Sequence, residues 1–129
     1  MIVVDSSVWI DFLNGVSSAE VARLTDLLGR RPLLVGDIIL FEILQGLASG
    51  AEAARVEAAL SRFQIEPMVD AALAAIAAGH YRRLRALGVT VRKTIDLIIG
   101  TFCIVRGHEL LTADRDFRPM ADHLGLRLI

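Results

Sequence analysis

The chain has 129 residues, a net charge of −1 and one cysteine, and 54% of its residues are hydrophobic against 22% charged. This length supports one hydrophobic core, so we predict a single domain spanning residues 1–129, and the composition excludes a disordered chain. The near-neutral charge gives no overall basicity for attracting nucleic acid. The lone Cys103 excludes a disulfide framework and favours a reducing cytoplasm.

Charged or polar clusters interrupt every apolar stretch before the roughly 18–20 residues that a membrane-spanning helix needs. No basic segment precedes the first apolar residues, so we expect neither membrane insertion nor a secretory signal. The apolar surplus favours an oligomer or partner interface. Thirteen of the 14 basic residues are arginine, and the densest basic patch comprises Arg82, Arg83, Arg85, Arg92 and Lys93. This patch is either a solvated helix face or a phosphate-binding surface.

Apolar periodicity predicts short strands that alternate with helices along the whole chain. The predicted strands are 2–4, 33–35, 65–68, 110–112 and 126–128. The predicted helices are 7–13, a segment opened by Ser17–Glu20 and ended near Gly29, then 38–47, 51–62, 71–87 and 95–105. Asp37, Asp70 and Thr94 are predicted to cap the helices that follow them. This order predicts an α/β fold with a short central parallel sheet and helices on both faces.

Two of the predicted strands deliver an aspartate. Asp5 follows Ile2-Val3-Val4, and Asp114 follows the strand in the segment LLTADRDF, with Asp116 two residues further on. Ligands of open α/β sheets bind outside the carboxyl ends of the strands, which makes these acids candidate ligand residues. The alternatives are a helix cap for Asp5 and a turn residue for Asp114.

Two more acids lie in apolar helical segments, Glu42 in ILFEILQG and Asp96 in TIDLIIGTF. A buried carboxylate needs a cation, a hydrogen-bond donor or a proton, although Asp96 also suits the first turn of a helix. Each acid precedes a glycine by four residues, Gly46 and Gly100, so each has an empty position on the same helix face. We interpret the glycines as leaving room beside the acid or as permitting close helix packing.

If Asp5, Glu42, Asp96 and Asp114 converge, their repulsion raises their pKa values or demands a divalent metal. Oxygen-only ligands select Mg²⁺ or Mn²⁺ over zinc, and one or two such ions can activate water and neutralise charge on a phosphodiester. Ser6 and Thr112 are candidate supporting residues because their hydroxyls can hold a carboxylate or a metal-bound water, although both also suit turns.

Four segments in this order, VVDSSVWIDF, FEILQG, TIDLIIG and LLTADRDF, resemble the motifs of PIN-domain ribonucleases, in particular the VapC toxins of bacterial toxin-antitoxin pairs. The resemblance implies a PIN-domain-like fold and an Mg²⁺- or Mn²⁺-dependent endoribonuclease. Its catalytic and metal-binding acids would be Asp5, Glu42, Asp96 and Asp114, with Asp116 as a competing or additional ligand.

The same resemblance implies partners. It predicts a cytoplasmic homodimer that cuts RNA, forms a larger assembly with a VapB-type antitoxin, and is inhibited when the antitoxin's C-terminal segment covers the pocket, often with an arginine among the acids. We place the antitoxin groove at the helices of residues 40–60. The alternative is a non-catalytic PIN-like module that binds RNA or an antitoxin, with the acids held in a structural ion-pair cluster by arginines such as Arg92 or Arg106.

Other chemistry is less well supported by the residues. A phosphatase with Asp5 as nucleophile would want a second acid at position 7, which is Ser7, and a receiver domain would want a lysine after its last core strand. The three histidines, His80, His108 and His123, have no metal-ligand spacing. We expect Cys103, Trp9 and Phe12 to be packing residues.

Overall fold

The computed structural model describes all 129 residues. Five parallel strands form one sheet in the order β3-β2-β1-β4-β5. The strands are β1 (Ile2–Val4), β2 (Leu33–Gly36), β3 (Gln64–Glu66), β4 (Glu109–Leu111) and β5 (Arg127–Leu128). Every residue of β1 and β2 is buried, which explains why these strands read as unbroken apolar runs rather than alternating ones.

Seven α-helices and one 3₁₀ turn connect the strands. They are α1 (Ser6–Leu13), α2 (Ala19–Leu27), α3 (Asp37–Gln45), α4 (Gly50–Leu60), α5 (Ala71–Ala86), α6 (Thr94–Arg106), the 3₁₀ turn Arg115–Phe117, and α7 (Arg118–Leu124). Helix α1 packs against α2 and α3, and α3 packs against α4, whereas α5 packs against α6 and α7.

The strand order explains these two groups of helices. The chain moves outward from β1 to β2 and β3, then returns past β1 to β4 and β5. Since crossovers between parallel strands are right-handed, opposite directions of travel place their helices on opposite faces of the sheet. The α/β fold with a central parallel sheet covered on both faces is therefore confirmed, and β1 lies at its centre.

Some predicted details were wrong. Asp37 and Thr94 are the first residues of α3 and α6, and the N-cap positions belong to Gly36 and Lys93. The Asp37 carboxylate instead accepts hydrogen bonds from the backbone N–H of Ile38 at 2.8 Å and of Met68 at 3.1 Å, so it ties the start of α3 to the segment that follows β3.

The sequence patterns did not predict the 3₁₀ turn and α7, which are formed by the segment RDFRPMADHL. Phe117 and Met120 from this segment are buried in the core. None of the helices has the combination of length and apolar character that crossing a membrane would require.

Candidate active site

The geometry of parallel sheets puts the candidate acids at one end of the molecule. Asp5 directly follows β1, and Thr112 and Asp114 follow the neighbouring strand β4. Glu42 lies on α3, which leaves the carboxyl end of β2, and Asp96 lies in the first turn of α6. The connections that leave β1 and β4 run to opposite sides of the sheet and open a crevice between these two strands. Open α/β sheets bind ligands in such a crevice, called the switch point, and the candidate acids surround it.

Asp5 is held from two sides by hydroxyl groups. Its Oδ2 accepts hydrogen bonds of 2.9 Å from both Ser7 Oγ and Thr112 Oγ1, and its backbone N–H donates to the Leu111 carbonyl. Asp5 is the N-cap residue of α1, but its side chain makes no capping hydrogen bond. Asp5 is only 4% exposed, and this burial raises its pKa, while the two hydroxyl donors oppose that rise. The hydroxyls of Ser7 and Thr112, rather than a capping hydrogen bond, thus fix the orientation of its carboxylate.

Thr112 links this aspartate to the following loop. Its Oγ1 accepts a hydrogen bond of 3.0 Å from the Asp114 backbone N–H, and Asp114 Oδ1 in turn accepts one of 2.9 Å from the Asp116 N–H. Asp114 therefore caps the 3₁₀ turn with one oxygen, as the turn interpretation predicted. Its other oxygen, Oδ2, faces Lys93 Nζ at 3.6 Å.

Asp96 is the acid with the least support from the protein. It is 8% exposed, and its Oδ2 is buried without any hydrogen-bond partner. Burial, followed by the negative charges of Asp5 and Asp114, raises the pKa of Asp96 to about 7. One carboxylate oxygen each from Asp96, Asp114 and Asp116 lie within 4.8 Å of one another. Asp114 and Asp116 therefore both lie beside Asp96, and Asp116 is an additional acid of the group rather than a competitor of Asp114.

Glu42 lies beside this group and is only partly buried. Its Oε1 accepts a hydrogen bond of 3.2 Å from Ser6 Oγ, while its other oxygen has no protein donor. Burial and then the charge of Asp5 raise its pKa. No arginine pairs with Glu42, so the ion-pair explanation for this acid is not supported.

The two glycines that follow the helical acids have explanations that differ from each other. A Cβ at Gly100 would clash with the sulfur and terminal methyl of Met120, so this glycine admits the α7 side chain. Gly46 is the exposed C-cap of α3, and a Cβ there would meet only backbone oxygens of its own helix, at 3.6–3.8 Å. Close packing explains Gly100, and the idea of space reserved beside the acids was wrong.

Two residues at the site were not predicted as site residues. Ser7 was predicted only as a helix residue, although an Asp-Ser-Ser sequence at a helix start offers two hydroxyls for nearby carboxylates. Lys93 was assigned to a basic patch, but its ammonium lies among the acids, and the charges of Asp96 and then Asp114 raise its pKa. Arg85 of the same predicted patch instead lies over the Tyr81 ring at 5.6 Å.

The remaining candidates lie outside the acidic group. His80 Nδ1 is 2.9 Å from Thr101 Oγ1, and His108 Nδ1 is 3.0 Å from the backbone nitrogen of Met1. Trp9 packs against Phe12 and Phe63 with ring centroids 6.2 and 5.3 Å away. Burial raises the pKa of the Cys103 thiol to about 12. These positions carry packing and local hydrogen bonds, as the sequence predicted for them.

The clustered acids are suited to a metal ion. Five carboxylates are grouped around one end of the sheet with a single lysine as their basic partner. Their donors are all oxygen, the ligand type of hard divalent cations. A cation would also satisfy the buried Asp96 Oδ2 and offset the repulsion that raises the Asp96 pKa.

The fold and the site together describe an α/β protein with a parallel sheet and a group of carboxylates at the carboxyl ends of its strands. The family model described as the PIN domain matches residues 2–122, so this chain belongs to the PIN domain family. The resemblance inferred from the four sequence motifs is confirmed at this level.

Individual relatives align over nearly the full length. VapC ribonuclease Mb1587 from Mycobacterium bovis is 28% identical over 123 residues, covering 94% of this chain and 92% of that protein. Ribonuclease VapC11 from Mycobacterium tuberculosis is equally similar, at 28% identity with the same coverage.

Two solved structures show the same fold. VapBC2 from Rickettsia felis, bound to a DNA fragment from its promoter, superposes with a TM-score of 0.78 at 19% identity, covering 100% of this chain and 98% of that one. FitAcB from Neisseria gonorrhoeae superposes with a TM-score of 0.77 at 21% identity, covering 100% and 96%. At these identities the likeness establishes the fold and no more.

Proposed function

We propose that this protein is an Mg²⁺- or Mn²⁺-dependent endoribonuclease that hydrolyses RNA phosphodiester bonds and acts as a VapC-type toxin. The observation that carries the proposal is the buried Asp96 carboxylate, unpartnered at Oδ2 and grouped with Asp114 and Asp116 at the switch point of the sheet. In its ionised form such a carboxylate costs stability unless a cation enters the site. The relatives named as VapC ribonucleases support RNA as the substrate.

In this proposal Asp96, Asp114 and Asp116, with Asp5 and Glu42 beside them, hold the metal and position the reacting groups. A divalent ion held there would supply positive charge to the phosphodiester and acidify an attacking water. Thr112 and Ser7 fix the orientation of the Asp5 carboxylate through their 2.9 Å hydrogen bonds. Thr112 also holds the Asp114 backbone, so one hydroxyl keeps the two strand-end acids in register.

Glu42 is suited to a separate task in the same reaction. Ser6 orients one of its oxygens, while the other has no protein donor and the residue is partly exposed. A carboxylate oxygen free of protein donors can accept a proton from a nearby water. We assign it the acceptance of a proton from the attacking water.

The test is cleavage of a mixed RNA set by purified, antitoxin-free protein with Mg²⁺ or Mn²⁺. We expect cutting that stops with a chelator and falls by at least about 100-fold in Asp5→Asn. Asp122→Asn, which changes an exposed aspartate on α7, serves as the matched control and should cut normally. Metal-independent cutting, or neither cutting nor Mn²⁺ binding, would contradict the proposal and favour the non-catalytic binding module.

We also propose that a VapB-type antitoxin covers part of α1, α3 and α4 and that the toxin is a homodimer. A cleft of about 260 Å³ lies between these helices, with Ile10, Leu13, Ile43 and Leu47 in its walls. Ile10 and Leu13 of these walls are 36% and 40% exposed, so the cleft offers apolar surface to a partner. Leu13→Asp should abolish antitoxin capture without lowering RNA cleavage, while light scattering on the free protein reports its subunit number. An unchanged capture would exclude this surface.

The proposed place of action is the cytoplasm, where the substrate RNA and a reducing environment are found. The single cysteine, Cys103, is buried and unpaired. Fractionation of cells that express the toxin with its antitoxin should recover both in the cytoplasmic fraction, and recovery with membranes would contradict this placement.

A further inference from the structure

A cleft of about 360 Å³ adjoins the acidic site, and three arginines line it. Arg23 comes from α2, Arg115 from the 3₁₀ turn and Arg118 from the start of α7. Thr112 and Asp114 belong to the acidic site and also line this cleft, so the cleft and the acidic site share one wall. We call this space the arginine cleft.

The three guanidinium groups are available for a ligand. None lies within 4.0 Å of a carboxylate, and none donates a hydrogen bond to another protein group, unlike Arg31, which pairs with Glu109 at 3.1 Å. Glu20 is the other acidic side chain of the cleft besides Asp114. The side chains of the cleft therefore carry three positive charges against two negative ones, one of which belongs to the acidic site itself.

Positive charge also lies on the other side of the acids. A smaller hollow of about 90 Å³ contains Arg92, Lys93 and Arg115 together with Asp96 and Asp116. Arg115 borders both spaces because it stands between Asp114 and Asp116 in the chain. The acidic group is thus flanked by cations, which suits a chain of phosphates crossing it better than a single small anion.

The other walls of the arginine cleft are aliphatic. Leu128, Ile129 and Ala19 contribute to them, and no aromatic side chain does. Forked guanidinium groups are well matched to phosphate oxygens, whereas base stacking on proteins relies mainly on aromatic rings. The cleft thus has the chemistry to hold a sugar-phosphate backbone and little with which to distinguish one base from another.

We propose that the arginine cleft is the subsite for the nucleotide next to the scissile bond of single-stranded RNA, with Arg23 and Arg118 binding its phosphate irrespective of the base. This inference rests on the proposed ribonuclease function and extends it, because it names the residues that position the substrate and the side of the acidic site from which the strand leaves. The volume of the arginine cleft, about 360 Å³, falls in the range of clefts that hold one small ligand.

The first test measures binding alone. Wild-type protein is titrated with a fluorescent single-stranded RNA oligonucleotide at several salt concentrations, in chelator so that no metal-dependent cutting occurs, with anisotropy as the readout. Each of Arg23→Gln and Arg118→Gln should weaken binding about fivefold and lower the slope of log K against log salt by about 0.7. Glu20→Gln should tighten binding. Arg30→Gln, an exposed arginine before β2 at the opposite end of the sheet, is the control and should change neither quantity.

Base selection gives a second readout from the same experiment. Homopolymeric oligonucleotides of each base should lose affinity by the same factor in Arg23→Gln and in Arg118→Gln. A loss restricted to one base would overturn the base-independent assignment. Equal or stronger binding of polyglutamate, with the same dependence on the two arginines, would assign the cleft to an acidic protein segment and overturn the proposal.

Cleavage kinetics separate this inference from the function on which it rests. If RNA is cut, the two arginine variants should raise KM while leaving kcat within about twofold. Cutting by the wild type with unchanged binding and KM in both variants would overturn the cleft and leave the ribonuclease proposal standing. Absence of cutting together with the expected loss of binding would support the cleft as a phosphate site and overturn the ribonuclease proposal. Circular dichroism melts confirm that each variant is folded.

Discussion

Replacing Asp96 by asparagine should make the metal-free protein more stable. Asp96 is buried among other acids with one oxygen unpartnered, so its ionised form is poorly accommodated in the folded state. Asparagine has nearly the same shape and carries no charge, and its amide can donate to a neighbouring carboxylate. The substitution removes a repulsive group without opening a cavity.

The raised pKa of Asp96 sets the magnitude and the pH dependence. The pKa rises from 3.8 to about 7 on folding, which would correspond to about 4 kcal/mol of lost stability once the group is ionised. The site opens to water, which screens the repulsion, so we expect about half, ~2 kcal/mol. Because the folded pKa is the higher one, the folded state binds more protons, and the wild type loses stability as the pH rises from about 4 to about 7. The loss is complete above that range.

Thermal melts in chelator at pH 8 and pH 5 measure this effect. At pH 8, Asp96→Asn should melt roughly 5–10 °C above the wild type, and the difference should shrink at pH 5. Added Mn²⁺ should raise the melting temperature of the wild type but not that of the variant. Asp122→Asn should leave the melting temperature nearly unchanged, because that aspartate is exposed. A variant that melts at or below the wild type at pH 8 in chelator would refute the view of Asp96 as a destabilising charge.

Three further outcomes follow from single contacts. Thr112→Val removes a hydroxyl donor to Asp5 and should lower kcat for RNA cleavage about 10- to 100-fold with the fold intact by circular dichroism; an unchanged kcat would show that this hydrogen bond does not orient the acid. Gly100→Ala should lower the free energy of unfolding by up to about 2 kcal/mol in urea titrations, because the buried Met120 side chain must shift and the helix propensity of alanine, worth about 1 kcal/mol, offsets only part of that cost. Gly46→Ala at an exposed helix end should cost less than about 0.5 kcal/mol, and a Gly100→Ala variant more stable than the wild type would contradict the packing explanation. Cys103, buried and with its pKa raised to about 12, should resist alkylation by iodoacetamide at pH 8 until denaturant is added, and rapid labelling of the native protein would disprove its burial.

The strand-end acids illustrate what local sequence can predict about a site. Asp5 and Asp114 follow apolar runs too short to be anything but buried strands, and the carboxyl ends of parallel strands share one edge. Glu42 and Asp96 stand out because they interrupt apolar helical segments. These signals depend on residue type and spacing within a few positions, so no tertiary information was needed to select the candidate residues.

The distances between those candidates were beyond the reach of sequence reasoning. That Thr112 bonds to Asp5, 107 positions away, depends on β4 lying beside β1. The position of Lys93 among the acids depends likewise on where α6 begins, and the role of Gly100 depends on α7 packing over α6. Spacing along one helix left two explanations open for that glycine, and the choice between them depends on Met120, which belongs to another helix.

The sequence by itself determined the alternation of strands and helices, the parallel sheet and the identity of the acidic residues, because hydrophobic periodicity and isolated charges act over short stretches of chain. Only the tertiary structure decided which oxygens meet, which acid lacks a donor, and which arginines converge beside the acidic site. Those features arise between β1 and β4, where the connections run to opposite sides of the sheet. Segments from the start, middle and end of the chain come within hydrogen-bonding distance there. The energies of those features depend on burial and on charges from other segments, which no local pattern encodes.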